Sequence, residues 1–229
     1  MMLPQSPQVL IGQVAPIVGS DILSGIAKFP IRARTSIGPT GLSNDAQADQ
    51  RVHGGTEKAL HHYPRDHYDF WRRQLDPTAI LDAAGAFGEN ISTCGITESD
   101  IAVGDVFRLG TALIQVSQGR QPCWKLNLRF GQTGLARQVQ DTGKTGWYYR
   151  VLEPGDVCPG DSMDLQDRVI PEWTIRRLWH AMYVDRLNRE ELSAIANLPV
   201  LADGWRKYAR RRLDSGKVEN WKPRLEGSA

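Results

Sequence analysis

Cysteine is scarce in this chain. The three present, at positions 94, 123 and 158, form no CxxC pair. That excludes an iron–sulfur set and an even disulfide framework, and it points to a reducing compartment. Long apolar runs are missing too: no segment approaches the roughly 18 apolar residues of a membrane span. The opening MMLPQSPQVLIGQVAP has no basic region followed by a sustained apolar stretch. A soluble cytoplasmic protein without a membrane partner is expected. Neither HExxH nor a dinucleotide-binding GxGxxG occurs, and the GKT at 143–145 lacks the GxxxxGK spacing of a phosphate loop. Charge of one sign is also in short supply, since 28 Lys and Arg face 26 Asp and Glu for a net +2. The surplus sits at the end. Residues 205–229 hold eight basic and three acidic side chains, with Arg210, Arg211 and Arg212 in a row. Such a run can meet nucleic-acid phosphates, but one short run is more simply a solvated helix end whose cations suit the C-terminal dipole. A nucleic-acid partner is therefore not expected.

What is present is a change of period along the chain. Up to about residue 165, short β-patterned runs alternate with glycines: VLIGQVAPI at 9–17, ALIQVSQ at 112–118 and WYYRVLEPG at 147–155. IAVGDVFRLG and VCPGDSMDLQD each set Gly-Asp before an alternating run, a turn-then-strand design that suggests a barrel or two packed sheets. Two helices interrupt it. Pro64 ahead of RDHYDFWRRQL reads as a first-turn proline, with Tyr68 and Trp71 on one face, and GLARQVQDTG runs to a stop at Gly143. After Pro171, Ile175, Leu178, Trp179 and Met182 recur at helical spacing. Asn188 with Glu191 reads as the cap of a second helix, and a third follows Gly204 with Trp205, Tyr208 and Ala209 on one face. The expectation is a mainly β, barrel-like domain over 1–168 with a few short helices, followed by a small three-helix domain over 169–229.

Four polar clusters could carry chemistry. Four of the five histidines (His53, His61, His62 and His67) fall in RVHGGTEKALHHYPRDHY. Adjacent His61 and His62 point different ways on most backbones, so a locally built tetrahedral metal site is unfavourable. His53 beside Gly54 and Gly55, with Lys58 following, could cradle an anion. The second cluster, AFGENISTCGITESDIAVGDVF, holds Asn90 and Thr93, and turn chemistry alone explains its Gly88 and Asn90. The third, VSQGRQPCWKLN, sets Cys123 behind Pro122 and between Arg120 and Lys125. Nearby cations favour the thiolate that binds metals or attacks electrophiles, whereas a lone cysteine is ordinarily core filler. The residues by themselves leave both readings open. The fourth, DTGKTGWYYRVLEPG, offers Lys144 and Thr145 from a turn.

In this order the clusters GLSNDAQADQRVHGGTEKALHHYP, AFGENISTCGITESDIAVGDVF, ALIQVSQGRQPCWKLN and DTGKTGWYYRV resemble the MOSC domain family, named for the C-terminal domain of molybdenum cofactor sulfurase, and within it the bacterial YiiM branch. The resemblance covers nearly the whole chain. It implies a β-barrel-like fold that binds the molybdenum cofactor, with Cys123 of the R-x-P-C segment as protein ligand to the metal. It carries His53, Lys58 and His62 over from the HGG segment, and Asn90 and Thr93 from the GEN segment. Arg120, Asn127, Lys144 and Trp147 join the cofactor-binding positions, and His53 and His62 join Cys123 as candidate catalytic groups. The family also bears a label for pyridoxal phosphate binding. The implied activity is reduction of small N-hydroxylated compounds such as 6-N-hydroxylaminopurine, with electrons from a separate reductase, and the resemblance admits a homodimer. The alternative activity is a cofactor carrier or sulfur-transfer protein using a Cys123 persulfide.

Overall fold

The computed structural model describes residues 6–48 and 54–227. Eight strands, numbered in chain order, build the principal sheet: β1 (Gln8–Ile11), β2 (Phe29–Pro30), β3 (Leu60–Pro64), β4 (Ile91–Thr93), β5 (Val106–Leu109), β6 (Ala112–Gly119), β7 (Trp147–Glu153) and β8 (Met163–Asp167). They lie in the order β8-β5-β6-β7-β3-β4-β1-β2 and curl into a half-barrel. Strands β3 and β4 run parallel. Parallel neighbours need a crossover of a dozen or more residues, and the chain from 65 to 90 supplies it with helix α1 (Tyr68–Gln74). A small sheet of Thr35–Gly38, Gly41–Leu42 and Gly155–Val157 lies beside the large one, and Ala15–Pro16 pairs with Leu23–Ser24.

Alternation explains β6. Ala112, Ile114 and Val116 are buried while Leu113 and Gln115 are half-exposed. The period then breaks at a bulge, because Val116 faces Tyr149 and Gln118 faces Tyr148, leaving Ser117 as the extra residue. A bulge re-aims the side chains that follow it, here those running into the Cys123 loop. The two Gly-Asp segments become neighbours, since β5 and β8 pair antiparallel. In each, the aspartate closes the turn: Asp105 accepts from the Ala102 N–H at 2.9 Å and Asp161 from the Cys158 N–H at 2.7 Å.

Pro64 does not open a helix. It ends β3, paired with Thr93, with its backbone extended at ψ 127°. A 3-10 turn at Arg65–His67 intervenes before α1, whose Tyr68 and Trp71 do share a buried face. Helices α2 (Lys125–Phe130) and α3 (Leu135–Thr142) follow, the latter closed by left-handed Gly143. The C-terminal set is α4 (Ile175–Tyr183), α5 (Arg189–Ala196), α6 (Asp203–Ser215) and the short α7 (Lys222–Glu226). Asn188 caps α5 through the N–H groups of Glu190 and Glu191. Gly204 lies inside α6, one residue past its start, instead of preceding it. Among the described residues no helix is long and apolar enough to cross a membrane.

One apolar core runs from Phe107, Val116 and Tyr149 on the sheet through Leu178 and Met182 into Ile195 and Trp205, so the three long C-terminal helices bury their stripes against the sheet and each other. A second cluster joins Tyr63, Trp71 and Phe87 to Leu126, Val139 and Leu225, which ties the chain's end back to the middle. Of the arginine triplet only Arg212 turns inward, while Arg210 and Arg211 stay exposed. Arg212 is buried, donating to Glu219 at 2.7 Å and to the Met182 carbonyl at 2.8 Å, and Arg211 lies 4.8 Å from the Tyr208 ring centre.

Candidate functional site

The end of β6, the loop after it and the turn before β4 line a cleft open to solvent. Lys28, Lys58, Arg120 and Lys125 line it together with Cys123, His61, Asn90 and Tyr148, and no carboxylate is among its described lining residues. Lys28 is ion-paired with Asp45. The Lys125 ammonium donates to the Leu23 carbonyl at 3.2 Å. Burial lowers the Lys28 and Lys58 ammonium pKa values, opposed by Asp45 and by Cys123 respectively.

Arg120 is the anchor of this wall. Its backbone N–H donates to Gly146 at 3.0 Å, and one guanidinium nitrogen reaches the Phe87 carbonyl at 3.4 Å. The other, Nη1, is buried without a hydrogen-bond partner. Nε2 of His61 is in the same condition. A buried polar atom left unpaired costs free energy, so two of them at one cleft mark a place shaped for something else to bind. Burial, and after it the charge of Arg120, holds the His61 imidazole well below its usual pKa, so it stays neutral at neutral pH.

Cys123 is 8% exposed and lines the cleft. The chain's end clamps its neighbours: the Arg224 guanidinium donates to the Pro122 carbonyl at 2.6 Å, and the Arg224 carbonyl accepts the Trp124 N–H at 2.8 Å. Nothing in the sequence around Arg224 signals this role, which rests on a contact 102 residues apart. Asn90 locks the opposite wall, accepting the His61 N–H at 3.1 Å and donating to Asp45 at 2.9 Å.

Of the residues singled out in the sequence, Lys58, Asn90, Arg120 and Cys123 therefore meet in one cleft. His53 lies outside the described residues. His62, one residue along β3 from His61, points to the opposite face, as strand alternation requires. Its imidazole is fully buried between Tyr149 Oη at 3.0 Å and Thr93 Oγ1 at 2.8 Å, with the Trp147 ring 4.2 Å away. His62, Thr93 and Trp147 thus pack behind the cleft wall instead of lining it, and a neutral His62 has no charge to deliver. Asn127 is spent joining helices, donating to the Leu225 carbonyl at 3.0 Å and accepting the Ala136 N–H at 2.8 Å. Lys144 stands over the Phe70 ring at 4.9 Å, away from the cleft lining. Sequence reasoning did not assign His61, Lys28, Lys125 and Tyr148 to the site, and the alternation of β3 and β7 was the signal available for His61 and Tyr148.

Burial lowers the His62 pKa to about 3. Its ordinary value is 6.5, so between these two limits the unfolded chain binds a proton that the folded one refuses. Stability should be full above pH 6.5 and fall by about 1.4 kcal/mol per pH unit below it. His61 adds to the same trend. Urea denaturation from pH 8 to pH 5 should show a shallower slope for His62→Gln than for the parent, and equal slopes would mean that His62 protonates in the folded state.

The MOSC domain pattern matches residues 49–164, and a YiiM-like, 3-alpha helix domain matches 173–216. Protein YiiM of Escherichia coli strain K12 is 42% identical over 208 residues, spanning 89% of this chain and 91% of that protein. The crystal structure of YiiM from Escherichia coli superposes with a TM-score of 0.82 at 34% identity, covering 98% of each chain. A protein of Gibberella moniliformis named Reductase is 34% identical over 86% of this chain, which spans only 35% of that longer protein. The chain belongs to the MOSC domain family, with the three-helix domain of its YiiM-like members.

Proposed function

We propose that this protein binds the molybdenum cofactor in the cationic cleft, through Cys123, and reduces small N-hydroxylated compounds such as 6-N-hydroxylaminopurine to the amine. The observation that carries the reading is the meeting of one buried soft thiol with an unpartnered Arg120 Nη1 and three lysines, with no carboxylate among the described lining residues. The residues present fit such a group. A thiolate suits a thiophilic metal, and guanidinium and ammonium groups suit the phosphate and sulfur anions that the cofactor brings. Among the described residues no three His, Cys, Asp or Glu side chains converge, so the remaining ligands would arrive with the cofactor. The name of the Gibberella relative supports a reductive role.

The reaction takes R–NH–OH, two electrons and two protons to R–NH₂ and water, with cleavage of the N–O bond. When bound, the cofactor supplies the two-electron redox chemistry that no ordinary side chain performs. The chain's own residues hold and supply charge. Arg120, Lys28 and Lys125 fix the anion. Lys58, made more acidic by burial, stands beside Cys123 as a proton donor at Nζ to the departing hydroxyl oxygen. Neutral His61 keeps Nε2 available to orient a hydrogen-bonding partner. The electrons come from a separate reductase.

Protein made in a host that synthesises the cofactor should carry about one molybdenum per chain and, with a chemical reductant, convert 6-N-hydroxylaminopurine to adenine. Molybdenum-loaded protein without turnover, bearing a persulfide on Cys123, would replace this reading with the sulfur-transfer one.

A further inference from the structure

Helix α6 holds five basic and two acidic side chains. Arg212 turns inward to Glu219, while Lys207, Arg210 and Arg211 stay exposed beside half-buried Arg206. One carboxylate serves three of these cations: Asp203 lies 2.7 Å from Lys207, 3.5 Å from Arg206 and 3.7 Å from Arg210. Arg211 has no carboxylate partner among the described residues and rests against the Tyr208 ring, 4.8 Å from its centre. The outer face of α6 is therefore positive beyond what its own carboxylates neutralise.

The place of this face in the fold gives the charge a use. Gly204, Lys207, Tyr208 and Arg211 recur at helical spacing and form one stripe of α6. Gly204 and Tyr208 line an opening onto Cys123, and no acidic side chain is among the described residues that line it. The stripe thus rims the approach to the thiol from the C-terminal helices. Reduction of an N-hydroxyl group consumes two electrons, and the chain has neither an iron–sulfur cysteine set nor a dinucleotide fingerprint, so a second protein must bring them. That protein reaches the cleft by seating on its rim. Opposite charge guides such brief encounters, raising the rate of association by about ten- to a thousandfold and losing its effect as salt rises. Nucleic acid is the other polyanion that a basic face attracts. Here the exposed cations end within about two helical turns and Asp203 stands among them, which is a short track for the several phosphate contacts that nucleic-acid binding draws on.

We infer that the exposed basic face of α6 is the docking surface for the electron donor, and that the donor is a protein with an acidic patch around its own redox group. The inference rests on the reductase reading, and it adds the partner's surface chemistry and a role for the C-terminal helices. With a reduced flavoprotein as donor, each encounter passes one electron as the anionic flavin hydroquinone becomes the neutral semiquinone. Two encounters supply the pair that, with two protons, converts R–NH–OH to R–NH₂ and water. The sheet and the Cys123 loop then serve the chemistry, and α6 selects the donor.

The test compares two reductants on the loaded, full-length enzyme: dithionite, which needs no docking, and reduced flavodoxin, a small acidic flavoprotein. The double variant Lys207→Glu with Arg211→Glu should turn over 6-N-hydroxylaminopurine with dithionite at the parent's rate, and its flavodoxin-driven rate constant should fall about tenfold. The milder pair Lys207→Gln with Arg211→Gln should lose less, and raising salt from about 0.05 to about 0.5 M should slow the flavodoxin-driven parent but not the Glu variant. Binding gives a readout without turnover: isotope-labelled oxidised flavodoxin, followed by its amide NMR signals, should bind the parent and bind the Glu variant about tenfold more weakly. If the parent fails to bind flavodoxin, or if binding and rate ignore both substitutions and salt while dithionite turnover persists, the docking surface is overturned and the reductase stands. Salt-sensitive binding lost in the variants, with no turnover from either reductant, would sink the reductase reading and leave an acidic-protein surface on α6. A short single-stranded oligonucleotide that binds the parent more tightly than flavodoxin does, and is lost in the same variants, would give the face to nucleic acid and overturn the inference.

Discussion

Replacing Cys123 with serine should take molybdenum from about one atom per chain to near zero, and lower turnover of N-hydroxylated substrate by more than about a hundredfold, beyond the range seen when only a supporting ligand contact is lost. The substitution exchanges one atom. A serine hydroxyl is a hard donor that stays protonated at neutral pH, whereas a thiolate is soft and binds thiophilic metals directly. The fold should survive, because the loop is held by its backbone and not by the thiol. The Cys123 carbonyl accepts the Leu126 N–H at 3.0 Å, and Arg224 grips Pro122 and Trp124 on either side. Near-ultraviolet circular dichroism should therefore match the parent while the metal disappears. Retention of both metal and turnover in the serine variant would remove Cys123 as the ligand. Loss of turnover with full metal content would instead make it a group acting on substrate.

Elements set by a local period could be read directly from the sequence. Alternation marked β6 and β7, helical spacing marked α4, and the pairing of Asn188 with Glu191 marked the start of α5, because each depends only on residues within a turn or a strand of one another. Pro64 misled because a proline with extended ψ ends a strand as readily as it begins a helix, and the choice was made by pairing with Thr93 in distant β4. The site was legible in part for the same reason. Cys123, Arg120 and Lys58 came from their motifs, yet which of two adjacent histidines faces the cleft depends on which face of β3 is covered. Arg224 needed the return of α7 across the molecule. The run of arginines looked like one surface feature and divides instead by helix face, with Arg212 turned inward to Glu219.

The other large effect is expected at a residue that does not touch the cleft. Glu89 is fully buried, and its carboxylate gathers three donors: the Tyr68 hydroxyl at 2.5 Å and the N–H groups of Gly85 at 2.8 Å and Phe87 at 2.9 Å. Burial, reinforced by Glu89 itself, raises the Tyr68 phenol pKa, so it remains the donor. Arg129 braces the same loop from outside through the Ala86 and Gly85 carbonyls at 2.8 and 3.2 Å. Glu89→Ala would orphan all three donors in a site closed to water and leave a void, destabilising the protein by about 3–5 kcal/mol. Glu89→Gln should recover part of this, since its amide oxygen can keep the Tyr68 hydroxyl and the Gly85 N–H. The other oxygen becomes an amide NH₂, which would face the Phe87 N–H donor to donor. The consequence reaches the site, because this loop carries Phe87, whose carbonyl accepts from Arg120, and Gly88 and Asn90, which wall the cationic cleft. Loss of order here should release Arg120, so the glutamine variant, if it folds, should also retain less molybdenum than the parent. Urea midpoints and metal content measured on the same preparations check both parts. A shift below about 1 kcal/mol, the worth of one ordinary hydrogen bond, would show that the loop holds its shape without the carboxylate.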